Sequence, residues 1–170
     1  FKQNLAVTKT DTKGNAILAS GRNTLPTIKR AINNQDKQDI NYTLDNNLQR
    51  NFNFEHINYD VMVGLDMMRE RSDYYRRTDT INDFDVNNPS YGNISIKKVG
   101  VPTEEITYSQ YAGLYLRNTI KIDDDWIIGL SGRHDWTQVE IDNILTNTKT
   151  KNSDNAFTGS ASAMYRINDM

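Results

Sequence analysis

Few residues in this chain have the types and spacing to do chemistry. The two histidines, His56 and His134, lie far apart and in no ligand spacing such as His-x-x-x-His. The acidic run Asp123-Asp124-Asp125 lacks the alternating Asp-x-Asp-x-Asp-Gly pattern of a calcium loop and reads as a solvated turn. There is no cysteine, which excludes disulfides, thiolate metal sites and a cysteine nucleophile. No apolar pocket is expected that would raise one carboxylate of a glycosidase-like pair. Arg133 and Asp135 share one strand face but form no catalytic constellation. No catalytic residue, no metal site and no cofactor are therefore expected, and the reading passes from chemistry to the elements that carry these side chains.

The stretch Gln110–Trp136, QYAGLYLRNTIKIDDDWIIGLSGRHDW, reads as two β-strands joined by the acidic turn. Trp126, Ile128, Leu130, Gly132, His134 and Trp136 fall on one face, and Ile127, Gly129, Ser131, Arg133 and Asp135 on the other. The preceding strand repeats this, with Ala112, Leu114, Leu116, Ile120 and Ile122 opposite Tyr111, Gly113, Tyr115, Arg117 and Thr119. Trp126 and Trp136 are ten residues apart. At roughly 3.3 Å per residue and a tilt of about 40° that spans on the order of 25 Å, the height of the apolar band of an outer-membrane barrel between its aromatic girdles. A soluble amphipathic hairpin with two surface aromatics is the alternative.

The 170 residues would suit one domain, and a net charge of -2 gives no reason to expect nucleic acid. No run of 18 apolar residues exists to form a transmembrane helix. The mean hydropathy of -0.73 looks soluble, but barrels hide their lipid face by alternation. The chain opens without an initiator Met or signal peptide and stops where a turn would lead onward, so it is expected to be a piece of a longer protein.

Along the chain, Phe1–Lys9 reads as a strand end, followed by a long polar connection over 10–36. In Lys37–Phe52 the residues Ile40, Tyr42, Leu44, Leu48 and Phe52 share an apolar face interrupted by Asn46; Asn118 interrupts the apolar face of the later hairpin. A turn near Asn53–Glu55 leads to a strand over His56–Arg76. A second polar connection covers 77–105 and a shorter loop 144–153; the last strand carries Phe157 and Tyr165. The reading is about six strands, with short turns on one rim and longer connections on the other, as in outer-membrane barrels. The fold class is thus all-β, an antiparallel transmembrane β-barrel segment. Tyr42, Phe52, Tyr108, Trp126, Trp136, Phe157 and Tyr165 are its expected membrane-interface aromatics.

YAGLYLRNTIKIDDDWIIGLSGRHDW resembles the barrel of TonB-dependent siderophore receptors, where Gly-x-Tyr-x-(Gln/Arg)-(Asp/Asn), a short turn and Trp precede Gly-x-Arg-(Tyr/His)-Asp-Trp. Those positions are Gly113, Tyr115, Arg117, Asn118, Trp126, Gly132, Arg133, His134, Asp135 and Trp136. YTLDNNLQRNF and YDVMVGLDMMRERSD are similar to the preceding hairpin of the ferrichrome-type branch, and FDVNNPSYG (Phe84–Gly92) to its loop signature. The family usually has Tyr where this chain has His134 and Gln where it has Arg117.

The resemblance implies a 22-stranded barrel in the outer membrane of a Gram-negative bacterium, plugged by a globular domain that this chain lacks, with residues 1–170 forming part of the wall. It implies a ferric siderophore as transported ligand, a TonB complex acting through the missing plug, and lipid and lipopolysaccharide around the wall. Tyr74, Tyr75, Phe84, Tyr91, Tyr111 and Tyr115 are the candidate ligand contacts, since aromatics at a concave mouth suit a bulky chelate. Arg133 and Asp135 are candidate lumen or plug contacts. Arg69, Arg71, Arg76 and Arg77 would attract an anionic complex, or contact lipopolysaccharide phosphates and loop acids. Importers of cobalamin, haem or oligosaccharide, and a soluble all-β binding domain, are the alternatives.

Overall fold

A computed structural model describes residues 1–22, 26–92, 94–123 and 125–167. The period-two patterning becomes seven antiparallel strands: β1 (Lys2–Arg22), β2 (Thr27–Asn53), β3 (Ile57–Asp85), β4 (Ile96–Lys98), β5 (Thr103–Ile122), β6 (Trp126–Asn143) and β7 (Thr148–Tyr165). They form one open sheet in the order β1-β2-β3-β5-β6-β7, with the three-residue β4 paired to β3. Six strands are long, as the sequence implies, and β4 is an addition.

Because alternation is strict, the register joins like faces. Leu5, Leu44, Met67, Ala112 and Trp136 are successive partners across β1, β2, β3, β5 and β6, and so are Tyr59, Ile120, Ile128 and Ala163 across β3, β5, β6 and β7. This face has no covering layer: Leu48, Leu114, Trp126 and Trp136 are each 45–54% exposed. Uncovered apolar area on this scale marks an interaction surface rather than the outside of a soluble monomer. Among the described residues the buried apolar side chains are Ala31 and Ile81, and both lie far from this belt.

Three connections expected to be loops are largely strand. β1 runs on to Arg22 and β2 already begins at Thr27; β3 runs on to Asp85; β7 already begins at Thr148 after a turn at 144–147. Beyond the apolar belt most side chains of these strands are polar on both faces, so alternation vanishes while the backbone ladder continues, its hydrogen bonds indifferent to side-chain polarity. Rim asymmetry survives in another form. The rim with the short connections between β2 and β3 and between β5 and β6 cuts off at the belt, whereas β2 extends about fifteen residues, roughly 50 Å, beyond Tyr42 on the other. Among the described residues the long connection there is 86–102.

The short rim is tied together locally. The Asp123 amide donates to the His56 carbonyl at 2.8 Å, and the His56 ring meets the Asp123 carboxylate at 2.9 Å. Asp123 and Asn147 adopt positive φ, which short polar side chains tolerate in tight turns. Asp124 of the expected acidic turn lies outside the described residues. The two polar residues on the apolar face keep their register: Asn118 accepts the Tyr59 hydroxyl at 2.6 Å, and Asn46 stands opposite Gln3.

Candidate functional site

The polar face of the sheet is organised in cross-strand rows. Asp45, Asp66, Gly113 and Asp135 are direct partners across β2, β3, β5 and β6; one step toward the short rim lie Asn47, Gly64, Tyr115 and Arg133. The Arg133 guanidinium joins three strands. Its Nη2 lies 2.8 Å from Asp66, its Nε donates to Asp135 at 2.7 Å, and the Tyr111 hydroxyl donates to the same Asp135 oxygen at 2.7 Å. Arg133 also contacts the Tyr111 hydroxyl directly and lies over the Tyr111 and Tyr115 rings at 5.7 and 5.5 Å. Two glycines make this possible. A β-carbon at Gly113 would meet Arg133, Asp135 and the Tyr111 hydroxyl, and one at Gly64 would collide with the Tyr115 ring.

Four of the expected residues, Tyr111, Tyr115, Arg133 and Asp135, thus form one cluster. Asp66 and Asp45 were not foreseen; their parity places them on the right face, but only the register across β5 brings Asp66 to Arg133. The face is rich in acceptors. One side-chain oxygen each of Asp39, Asn41 and Asp45 is buried without a hydrogen-bond partner. Such groups are costly unless a donor meets them, so this wall suits a polar partner surface better than an apolar ligand.

The other ligand candidates do not join this cluster. Tyr74 and Tyr75 sit on β3 beyond the belt, half-buried beside a depression of about 420 Å3 shared with Asp36, Gln38 and Glu104. Strand parity sends them to opposite faces, Tyr74 to the polar one. Phe84 and Tyr91 stand at the far tip, with ring centroids 5.6 Å apart and Arg30 over Phe84 at 5.3 Å.

That tip holds a second polar centre the sequence did not disclose. Asp79 is 0% exposed, receives Arg77 at 3.1 Å, and accepts the Gly100 amide at 2.9 Å, pinning the 86–102 connection onto β3. A β-carbon at Gly100 would strike the Thr78 backbone carbonyl. Asp85 caps the FDVNNPSYG turn by accepting the Asn87 and Asn88 amides at 2.9 and 3.3 Å.

The expected basic cluster is divided. Arg71 pairs with Asp73 at 3.0 Å, Arg76 donates to Asn33 at 2.9 Å, and Arg77 belongs to Asp79, while Arg69 stands on the apolar face. Of the seven expected interface aromatics, all lie on that same face by register. Toward the short rim Trp126 packs on Tyr165 (4.8 Å) and Phe52 on Tyr59 (6.2 Å). At the opposite edge of the belt His134 bridges Trp136 (4.3 Å) and Phe157 (6.5 Å); Tyr42 and Tyr108 stand on the neighbouring strands. Among the described residues no group of three or more His, Cys, Asp or Glu is placed to hold a metal ion.

Comparison with known proteins agrees with this geometry. Residues 2–170 match the family model "TonB dependent receptor-like, beta-barrel". The chain is 24% identical over 97% of its length to the ferrioxamine receptor of Yersinia enterocolitica, covering 24% of that protein. It also superposes on the ferric citrate transporter FecA in its unliganded form with a TM-score of 0.59, at 19% identity, over 98% of this chain and 23% of FecA. The chain thus spans about a quarter of the length of the relatives it matches. An open antiparallel sheet with one bare apolar belt and one polar face, matched over its whole length by this model, belongs to the TonB-dependent receptor-like β-barrel family, a family of receptors and transporters rather than enzymes.

Proposed function

We propose that this chain is a wall segment of an outer-membrane receptor that takes up a ferric siderophore and is energised through TonB acting on a plug domain outside these residues. The observation that carries the reading is the division of the sheet into an exposed apolar belt and a polar, acceptor-rich face. The belt fits the hydrocarbon layer of a Gram-negative outer membrane, with Trp126 and Trp136 near its two edges. The polar face fits a lumen filled by a hydrogen-bonding plug. Support for iron chelates comes from the names of the relatives, a ferrioxamine receptor and a ferric citrate transporter.

Hydroxamate siderophores of the ferrichrome type are the first ligand class to test, with Tyr74, Tyr111 and Tyr115 as the inward-facing aromatics. The direct experiment measures binding and uptake of radiolabelled iron by the whole receptor, presented as ferric hydroxamate, ferric citrate, haem and cobalamin. Saturable uptake of a ferric hydroxamate that requires TonB supports the reading. Uptake of cobalamin or haem alone would contradict it.

A further inference from the structure

The open edges of β1 and β7 end the sheet, but β4 has an open edge of another kind. Among the described residues it pairs with β3 alone, beside Thr80 and Ile81. It continues the line of β5, whose last partner pair toward this rim is Thr103 with Arg76. β6 has turned back before this height, since Asn143 is level with Glu105 and Tyr74. Among the described residues no strand reaches the far side of β4.

The hydrogen bonds fix which groups that edge presents. The Asn82 amide donates to the Ser95 carbonyl at 2.9 Å, and the Ser95 amide to the Asn82 side chain at 3.1 Å. Ser95 thus turns its backbone toward β3, and by alternation Ile96 and Lys98 turn theirs away. The segment is already ordered on both sides of β4, by Asn82 before it and by the Gly100 amide on Asp79 after it. A guest strand would not have to order it, which removes one cost of binding. Ile94, Ile96, Val99 and Val101 are 46–88% exposed, and such β-branched side chains favour strand pairing. An extended, apolar, unpaired edge is a template for another strand.

Charge selects the guest. The run Ile94–Val101 holds two lysines and no acid. Lys97 is taken by Asp83 at 3.3 Å, whereas Lys98 is exposed and makes no hydrogen bond or ion pair among the described residues. A second copy of this edge would set lysine against lysine across the new ladder, a destabilising pairing.

We propose that β4 is a docking edge for another protein, one that offers an extended acidic segment. The guest adds as a strand along Ile96–Lys98, pairing with the backbone of these two residues and placing a carboxylate on Lys98. This adds protein recognition at the tip of the wall and is independent of which chelate passes through the lumen.

The test measures fluorescence anisotropy with the whole receptor in detergent and a labelled peptide of valine, threonine and glutamate. That peptide is expected to bind, and lysine in place of its glutamates to abolish binding. Methylating alternate peptide nitrogens keeps the side chains but removes the ladder donors, and should weaken binding about tenfold. I96P, which removes an amide aimed away from β3, should do the same, and K98E should weaken the acidic peptide severalfold. The peptide series on the parent receptor stands even where I96P disturbs β4. No binding of the acidic peptide, equal binding of its methylated or lysine forms, or an unaffected K98E would overturn the proposal.

Discussion

Arg133 of β6 and Asp66 of β3 meet at 2.8 Å over the intervening strand β5. Two inter-strand spacings are about 10 Å, a gap that only a long side chain can bridge. Gly113 leaves the passage open, and the Tyr111 and Tyr115 rings support the guanidinium in it. One cation therefore serves Asp66 and Asp135, while Asp45 opposite Asp66 keeps an unmet oxygen. The polar face presents acceptors, not a free arginine.

Removing that cation should be costly. Arg133→Ala leaves two half-buried carboxylates facing each other and is expected to destabilise the barrel by about 2–3 kcal/mol. Arg133→Lys should recover part of this, because an ammonium cannot reproduce the fork. Denaturant unfolding of the folded receptor in detergent measures both; a change below about 0.5 kcal/mol for the alanine variant would show that the network is ornamental.

A pH dependence follows from Asp39, beyond the belt on β2. Burial pushes its carboxyl up, but hydrogen bonds from Lys37, at 2.9 Å, and Ser72 outweigh burial and hold it below the ordinary carboxylate value. A depressed folded-state value means stability that is present above the ordinary carboxylate range, near pH 4, and lost as pH falls through the lowered value. Unfolding midpoints of the parent and Asp39→Asn should therefore converge on acidification. A gap between them that stays constant down to strongly acid pH would rule out this contribution.

The 86–102 connection should depend on Gly100. Because the Thr78 carbonyl occupies the space a β-carbon would need, Gly100→Ala must move backbone and disrupt the hydrogen bond that the Gly100 amide donates to Asp79. Faster proteolytic cleavage within 86–102, with the barrel itself intact, is the expected result. Unchanged cleavage would mean that the connection is held elsewhere.

The two faces should respond unequally to charge. Leu116→Arg places a cation in mid-belt and is expected to cost about 2–4 kcal/mol, whereas Thr119→Arg, on the polar face three residues on, should cost far less. Comparable losses for the two variants would argue against a lipid-facing belt.

How much of this was legible beforehand depends on which signal each part left in the sequence. The belt was, because Leu114, Leu116, Trp126 and Trp136 must avoid water on one side and so imprint a period of two. The outer halves of β1, β2 and β3 were not: residues such as Asn33, Asn34, Gln35 and Asp36 are polar on both faces, and a ladder held by backbone hydrogen bonds leaves no mark in side-chain pattern. The site was legible in part. Tyr111, Tyr115, Arg133 and Asp135 announced themselves by parity within one hairpin, but Asp66 and Asp79 reach their partners through strand register and a folded-back connection. Composition records neither.

The most direct measurement is the side of the wall each β5 residue faces in the membrane. The absence of cysteine from this chain allows single cysteines at Leu114, Tyr115, Leu116 and Arg117 of the whole receptor to be labelled without interference from this segment. Spin labels at these sites, read in lipid vesicles against oxygen and a water-soluble relaxant, should alternate: lipid at 114 and 116, water or protein at 115 and 117. Uniform water exposure along the strand, or lipid contact at 115 and 117, would contradict the account.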